Sequence, residues 1–410
     1  MDFKDTESQA IFRQNIRAWL NENAVKRVDN LYQGMEGEQA FLEAKKWYKK
    51  VFDAGFACLT WPSEYGGAGM DQMAEVIWSQ EVAKFQTRDS YFVIGIGNCG
   101  PALLHYGQEE MKQRLLPRMA SAEDVWCQLF SEPSAGSDVA GLSTKAEQVG
   151  EKWKINGQKI WTSGAQYADY GLILCRTDPT VSKYRGLTVF MIDMKQPGVE
   201  IRPIKQMDGG QHFNEVFFND AETPDHYRLG EINGGWSVAL TILMSERLAI
   251  SSVQPTGFPQ FFDWFMSDDI DGKAINQDPE VRLKTLDWFL DYAGLQATNK
   301  RLMTQVSQGG FAGAEASLGK LVGANMNQEI AQFVCKKLAG ITGLISDPDL
   351  AIFKGHFQHS LLFSPGVRLA GGTDEIMRNI IAEQVLGLPQ EPRADKGIAF
   401  NQLKTGNMAQ

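Results

Sequence analysis

Between Phe130 and Gly164 the chain reads FSEPSAGSDVAGLSTKAEQVGEKWKINGQKIWTSG. A loop of small residues, Ser134-Ala135-Gly136-Ser137-Asp138, leads into an alternating strand that ends on Trp161-Thr162-Ser163-Gly164. Small residues keep backbone amides and hydroxyls within reach, and the indole offers one large flat face. Such a set suits a bulky planar cofactor that takes hydrogen bonds at its edge and apolar contact on its face. A plainer reading exists for each residue. Ser131 and Ser137 also suit a turn that satisfies its own backbone, and Trp161 also suits an ordinary core.

A second glycine pattern looks like chemistry and is not. Gly95-Ile96-Gly97-Asn98-Cys99-Gly100 matches GxGxxG letter for letter. A dinucleotide site needs that motif to open a helix inside a βαβ unit. Here Pro101 follows at once and no parallel-strand pattern surrounds it. The spacing is expected to ease close packing of helices.

Bulk properties narrow the remaining classes. A chain of 410 residues holds one to three domains. Hydrophobic content of 43% and charged content of 22% are those of an ordinary globular protein. The net charge of -10 gives no basic surface for nucleic acid. No apolar run approaches the ~20 residues of a membrane helix. The start, MDFKDTESQA, shows neither a secretory nor a transit pattern. Five cysteines without CxxC spacing fit reduced thiols in a cytoplasm. His356 and His359 stand three apart without a clear third ligand, so no metal site is expected.

The texture of the chain changes twice. Residues 1–122 read as helix, beginning with the capping-box form Thr6-Glu7-Ser8-Gln9 and the stripe Phe12, Ile16, Trp19, Leu20. Helix is expected again over Met70 to Lys84 and Glu109 to Met119. Residues 123–230 hold short apolar runs between turn residues, among them Gly171 to Cys175, Leu187 to Ile192 and Val216 to Phe218. That pattern predicts a sandwich or barrel. Residues 231–392 return to helix: one through Trp236 to about Ile250, and one behind Asp278-Pro279 with the stripe Val281, Leu286, Phe289, Ala293. Two more follow, over Met326 to Leu338 and Asp374 to Gln384. Residues 393–410 form a tail, expected to fray from Lys396.

Six local marks occur in one order: Trp61-Pro62 with Gly66-Gly67, Gly107-Gln108-Glu109-Glu110 before Leu116-Pro117, the Phe130–Gly164 block, Asn214 to Phe218, Gly234-Gly235-Trp236, and Gly371-Gly372-Thr373-Asp374-Glu375-Ile376. Over roughly residues 5 to 390, the chain resembles the acyl-CoA dehydrogenase family of flavoproteins. The resemblance implies an α+β chain of three parts. These are an all-α N-terminal domain, a middle β-sandwich or barrel, and a C-terminal four-helix bundle. It also implies FAD-dependent α,β-dehydrogenation of an acyl-CoA thioester to the trans-2-enoyl-CoA. A base takes the α proton and flavin N5 the β hydride, with electrons passing to an electron-transfer flavoprotein.

The site residues follow from the same resemblance. Many members place the base just before a Gly-Thr pair, a position that is Gly371 here. A second branch, including isovaleryl- and long-chain acyl-CoA dehydrogenases, places a glutamate on a helix directly before an arginine. In this chain that pair is Glu246-Arg247, which makes Glu246 the expected base. A solvated helix position for Glu246, and a structural ion pair for Arg247, stay open. Phe130, Ser131, Ser137, Trp161, Ser163, Thr373 and Glu375 match cofactor contacts. Ser137, Arg247 and Gly372 match substrate contacts. Trp236, Met244 and Phe363 either line the acyl cavity or pack the core.

Two departures stand out. Homotetrameric members carry an Arg-x-x-Phe-Gly stretch, and later a glutamine before Gly-Gly, that reach the pyrophosphate of a neighbour's flavin. Here the corresponding stretches are Trp264 to Lys273, with three acidic residues, and Lys337 to Gly343. The wording Asp271-Gly272-Lys273-Ala274 and Asp278 to Arg282 is similar instead to two-gene members such as pimeloyl-CoA and steroid side-chain acyl-CoA dehydrogenases. A heterotetramer with a related subunit is therefore expected beside the homotetramer. A non-catalytic partner subunit and an oxygen-using acyl-CoA oxidase are the rival readings.

Overall fold

A computed structural model describes residues 5–27, 37–87, 89–253, 256–266, 275–307, 313–338 and 352–403, without some helical side chains, those of Arg247 to Val253 included. Helices α1 (Glu7–Asn23), α2 (Glu38–Asp53), α3 (Gln72–Val82), α4 (Gly100–Tyr106) and α5 (Glu109–Ala120) come first, with the short strands β1 (Val25–Lys26) and β2 (Phe85–Gln86). Strands β3 (Trp126–Leu129), β4 (Lys145–Val149), β5 (Lys152–Ser163), β6 (Tyr170–Arg176), β7 (Leu187–Asp193), β8 (Val199–Pro203), β9 (Phe213–Pro224) and β10 (Arg228–Leu229) follow. Helices α6 (Gly235–Val253), α7 (Phe258–Met266), α8 (Pro279–Ser307), α9 (Ala316–Leu338), α10 (His356–Leu369) and α11 (Asp374–Ile380) complete the order. Helix, sheet and helix thus succeed one another, in the expected α+β build. Among the described residues no helix is long and apolar enough to cross a membrane.

The described residues divide into two compact units, drawn from Met1–Met35, Val76–Gln86 and Arg247–Pro389, and from Glu36–Glu75, Thr87–Glu246 and Gln390–Gln410. In the second unit, β3 to β10 form one sheet in the order β10-β7-β6-β4-β5-β9-β8, with β3 parallel to β6. Alternation sends Leu172, Leu174, Val189 and Met191 to one face, against Leu103, Leu116, Val238 and Ile242 of the helices. Ile173, Cys175, Phe190 and Ile192 face the other way, onto Trp153, Ile155, Val216 and Phe218 of β5 and β9. The Thr223 hydroxyl of β9 donates to the Met191 carbonyl of β7 at 2.6 Å. Strands far apart in the sheet order therefore meet, because the sheet curls over its own core.

Local signals explain several elements. Thr6 Oγ1 accepts from the Gln9 amide, and Gln9 Oε1 accepts from the Thr6 amide, so the capping box forms and buries Ile16 and Leu20. Asp278 caps α8 by accepting from the Glu280 and Val281 amides. Gly95 to Gly100 form no dinucleotide turn. Ile94–Cys99 is a π-helix that runs into α4, with Gly95 against Trp126 and Gly100 against the Trp61 ring.

Other expectations need correction. The buried face of α8 is Val281, Thr285, Trp288 and Leu295, while Leu286 and Phe289 are 54% and 50% exposed. The aromatic core of the first unit takes Trp288, edge-on to Phe261 at 5.0 Å, and so sets the helix rotation. Helix α9 starts at Ala316, ten residues before the expected Met326, because small residues there allow tight packing. Helix α11 stops at Ile380 and continues as a π-turn over Ile381–Val385.

The tail is docked as far as it is described. The Arg176 guanidinium lies 3.9 Å from the centre of the Phe400 ring, and Lys183 pairs with Asp395 at 2.5 Å. The Phe400 and Asn401 amides donate to the Val181 and Pro179 carbonyls. Phe400→Ala should therefore free the tail and speed tryptic cleavage at Arg393 and Lys396 about tenfold, the loss of one cation–π contact. Equal cleavage of variant and parent would show that Phe400 does not hold it.

Candidate active site

The cofactor-type residues are organised by a buried ion pair that sequence reading missed. Lys159 is fully buried on β5 and its ammonium sits 2.9 Å from Glu132 Oε1. It also donates to the Phe130 carbonyl at 3.0 Å. Glu132 accepts in addition from the Ser143 and Thr144 amides at 2.7 and 2.9 Å. Burial by itself raises the Glu132 carboxyl, but the Lys159 charge and the hydrogen bonds from Thr144 and Ser143 outweigh it and hold the group below its ordinary value. The signal was present: Lys159 falls among the core-facing positions of an alternating strand.

Around that pair the expected residues take distinct positions. Phe130 is buried, Ser131 is half-buried with its carbonyl accepting from the Ile160 amide, and Ser137 is exposed on the loop. Trp161 is 55% exposed, so it is not core. Its φ of +60° is the left-handed region that a bulky residue rarely enters. The irregular pairing of β5 with β9 between Lys159 and Thr162 turns Lys159 inward and Trp161 outward. Phe213 supports the indole edge-on at 6.0 Å, and Ser163 pairs with Phe213 across the strands. An exposed, strained indole beside accessible hydroxyls fits a large planar ligand such as a flavin.

Glu246 lies in the same unit, half-buried on α6. Gln128 Nε2 donates to its Oε2 at 3.2 Å, so Glu246 is no freely solvated helix residue. Trp126, Gln128 and Phe130 share a parity on β3 and its continuation, and Trp126 and Phe130 belong to one core cluster. The carboxylate is therefore tied to the strand that carries Phe130 and Ser131. Burial first, and then the Cys127 thiol and the Glu246 charge, hold the nearby Cys99 thiol well above its usual range, against a hydrogen bond at Leu172 that lowers it. The Arg247 side chain lies outside the described residues. Trp236 packs edge-on against Tyr184 at 4.8 Å, Met244 is exposed, and Phe363 stacks on His359 at 5.5 Å.

The first unit builds the glycine-threonine loop. Gly371 and Gly372 have φ of +65° and +102°, and a Cβ at Gly372 would collide with Met377. A side chain at position 371 would be strained. Thr373 caps α11 by accepting from the Ile376 amide. Hydrogen bonds from its own backbone and from Thr373 hold the Glu375 carboxyl below its usual range. Lys320, also missed in the sequence, is buried and donates to the Arg368 and Gly372 carbonyls at 2.7 and 2.6 Å. Burial lowers its ammonium pKa. Arg368 completes the loop by pairing with the buried Asp374. Of the two divergent stretches, Trp264 is core and Lys337 pairs with Asp278 and Glu280. Residues 267–274 and 339–343 lie outside the described residues.

Family models for acyl-CoA dehydrogenases match the chain in three consecutive pieces: the N-terminal domain over residues 6–123, the middle domain over 127–221 and the C-terminal domain over 233–386. The chain belongs to the acyl-CoA dehydrogenase family of FAD-dependent oxidoreductases. Acyl-CoA dehydrogenase IpdE1 of Mycolicibacterium smegmatis is 35% identical over 399 residues, covering 93% of this chain and 98% of that protein. The ChsE4-ChsE5 complex from Mycobacterium tuberculosis holds a chain of TM-score 0.78 and 27% identity, matched over 95% of this chain and 100% of that one. A structure described as the Tcur3481-Tcur3483 steroid ACAD gives 0.77 and 27% over 95% and 100%.

The ion pair yields a prediction with a pH signature. The lowered Glu132 carboxyl contributes stability that is present above its ordinary value of 4.5 and is lost as pH falls through its folded value. Lys159→Met strands that carboxylate and should cost about 3–5 kcal/mol at about pH 7. The deficit should shrink towards about pH 4, where the variant's Glu132 is protonated. Denaturant titrations at both pH values check this. A deficit below about 1 kcal/mol, the same at both, would contradict it.

Proposed function

We propose that this chain dehydrogenates an acyl-CoA thioester between its α and β carbons, with Glu246 as the base. The observation that carries this reading is the Gln128–Glu246 hydrogen bond at 3.2 Å. It ties a half-buried carboxylate to the strand that continues into Phe130 and Ser131. Phe130, Ser131, Ser137, Trp161 and Ser163 would hold FAD, and Thr373 and Glu375 are the further cofactor contacts that the family resemblance assigns. When bound, FAD supplies the two-electron acceptor for the hydride leaving the β carbon. Glu246 removes the α proton. It lies inside α6, where its own amide belongs to the helix ladder. Gly372 is assigned to the substrate, where its lack of a side chain allows close backbone approach. Arg247 and Ser137 are assigned to the substrate. Domain boundaries are placed near residues 122 and 230. An electron-transfer flavoprotein is the proposed acceptor, by family analogy.

The substrate and assembly follow the relatives. Solved neighbours include one described as a steroid ACAD and one described as the ChsE4-ChsE5 complex. Bulky polycyclic acyl-CoAs are therefore the first substrates to test, and a heteromer the first assembly. Leu283, Leu286 and Leu290 are exposed on α8, opposite its core face, as on a helix that buries a second side against another subunit.

Two outcomes test the proposal. Glu246→Gln should keep its flavin yet slow acyl-CoA bleaching of the visible flavin band at least a thousandfold, the upper part of the usual range for loss of a general base. Parental bleaching in that variant would end the assignment. Expressed alone, the chain should be flavin-poor or unstable, and co-expression with a related subunit should restore both. A flavin-loaded, active homotetramer would refute the heteromer.

A further inference from the structure

Asn98, Gln128 and Glu246 form a line of side-chain hydrogen bonds within one unit. Asn98 Nδ2 donates to Gln128 Oε1 at 3.0 Å, and Gln128 Nε2 donates to Glu246 Oε2 at 3.2 Å. Three segments far apart in sequence meet there: the π-helix Ile94–Cys99, β3 and α6. Asn98 is only 4% exposed, and its Oδ1 has no hydrogen-bond partner among the described residues. A buried amide left half-satisfied is costly, and a leucine would suit a purely structural position better.

The local backbone is arranged to bring Asn98 to this place. π-turns interrupt the regular helical pattern and recur at functional sites. Gly95 lets the turn pack directly on Trp126 of β3, where an added Cβ would sit 3.3 Å from the Trp126 Cβ. Gly100 leaves room for the Trp61 ring on the other side. The motif that imitates a nucleotide loop is thus a device for close approach between this turn and β3.

The line also has a direction. A side-chain amide carries a donor at one end and an acceptor at the other, and rotation exchanges them. Turned the wrong way, Gln128 would aim its carbonyl at the carboxylate. Asn98 Nδ2 holds the Gln128 oxygen at its own end, which leaves the Gln128 amino group for Glu246. We propose that Asn98 and Gln128 are positioning residues that hold Glu246 ionised and aimed for α-proton removal. Gln128 anchors the carboxylate through Oε2, and Asn98 acts only through Gln128. This rests on Glu246 being the base.

The test is a double-mutant cycle read by anaerobic stopped-flow. Gln128→Met, Asn98→Leu, the double variant and Glu246→Gln are compared with the parent enzyme, assembled as it occurs. The probe is an acyl-CoA that bleaches the parental flavin. Gln128→Met and Asn98→Leu should each lower the limiting bleaching rate about 10- to 100-fold, the worth of one hydrogen bond to a charged group. Flavin content and acyl-CoA Kd should stay at parental values. The double variant should be no slower than Gln128→Met, since Asn98 then has nothing to orient. Asn98→Leu reads the link independently if Gln128→Met fails to accumulate, and a parental rate in Asn98→Leu overturns the relay. So does an inactive Glu246→Gln beside a parental Gln128→Met, or full multiplication of the two single effects. A parental rate in Glu246→Gln instead overturns the base reading and the relay with it.

Discussion

The buried pair of Lys159 and Glu132 is the constraint on which the middle of the structure depends. A charge withdrawn from water is tolerated only when a partner and further hydrogen bonds replace the solvent. Here the carboxylate has one ammonium and two backbone amides, and the ammonium has the Phe130 carbonyl as well. These contacts tie three stretches of chain together: the end of β3, the loop at Ser143 and Thr144, and the middle of β5. Phe130 and Ser131 flank the pair on one side, and Trp161 and Ser163 on the other. Their spacing therefore follows from a rigid polar core between them, with Phe130 buried, Ser131 and Ser163 half-buried and Trp161 exposed.

The glycine-threonine loop of the first unit repeats the device. Lys320 gathers the Arg368 and Gly372 carbonyls, and Arg368 neutralises the buried Asp374. Both candidate contact loops are thus pinned from below by an interior lysine that donates to backbone carbonyls. Loops held in this way meet a large ligand without first having to be ordered, which preserves binding free energy. The left-handed conformations of Gly371 and Gly372 belong to the same economy, because they turn the loop within two residues.

Much of this was legible in the sequence, and the reasons are physical. Caps at Thr6 and Asp278 were readable because they rest on contacts within four residues. The Phe130–Gly164 block was readable because it concentrates the candidate cofactor contacts in one stretch. What escaped was tertiary. The face of α8 was misread because several large apolar residues compete for the core, and only packing against Phe261 selects Trp288. The docked tail depends on Arg176, more than 200 residues away in the chain. Lys159 and Lys320 were passed over because a lysine is ordinarily a surface residue. Gln128 and Asn98 carry no local mark of their relation to Glu246, since the three meet only after β3, the π-turn and α6 have packed.

Proton removal by Glu246 is the central claim, and hydrogen exchange at the α carbon tests it without requiring turnover. The flavin-loaded enzyme is mixed in deuterium oxide with an acyl-CoA that it binds, and deuterium at the α position is followed by mass spectrometry. The parent should wash deuterium into that position, and Glu246→Gln should not, although its flavin stays bound. Exchange by Glu246→Gln at the parental rate would show that another group is the base.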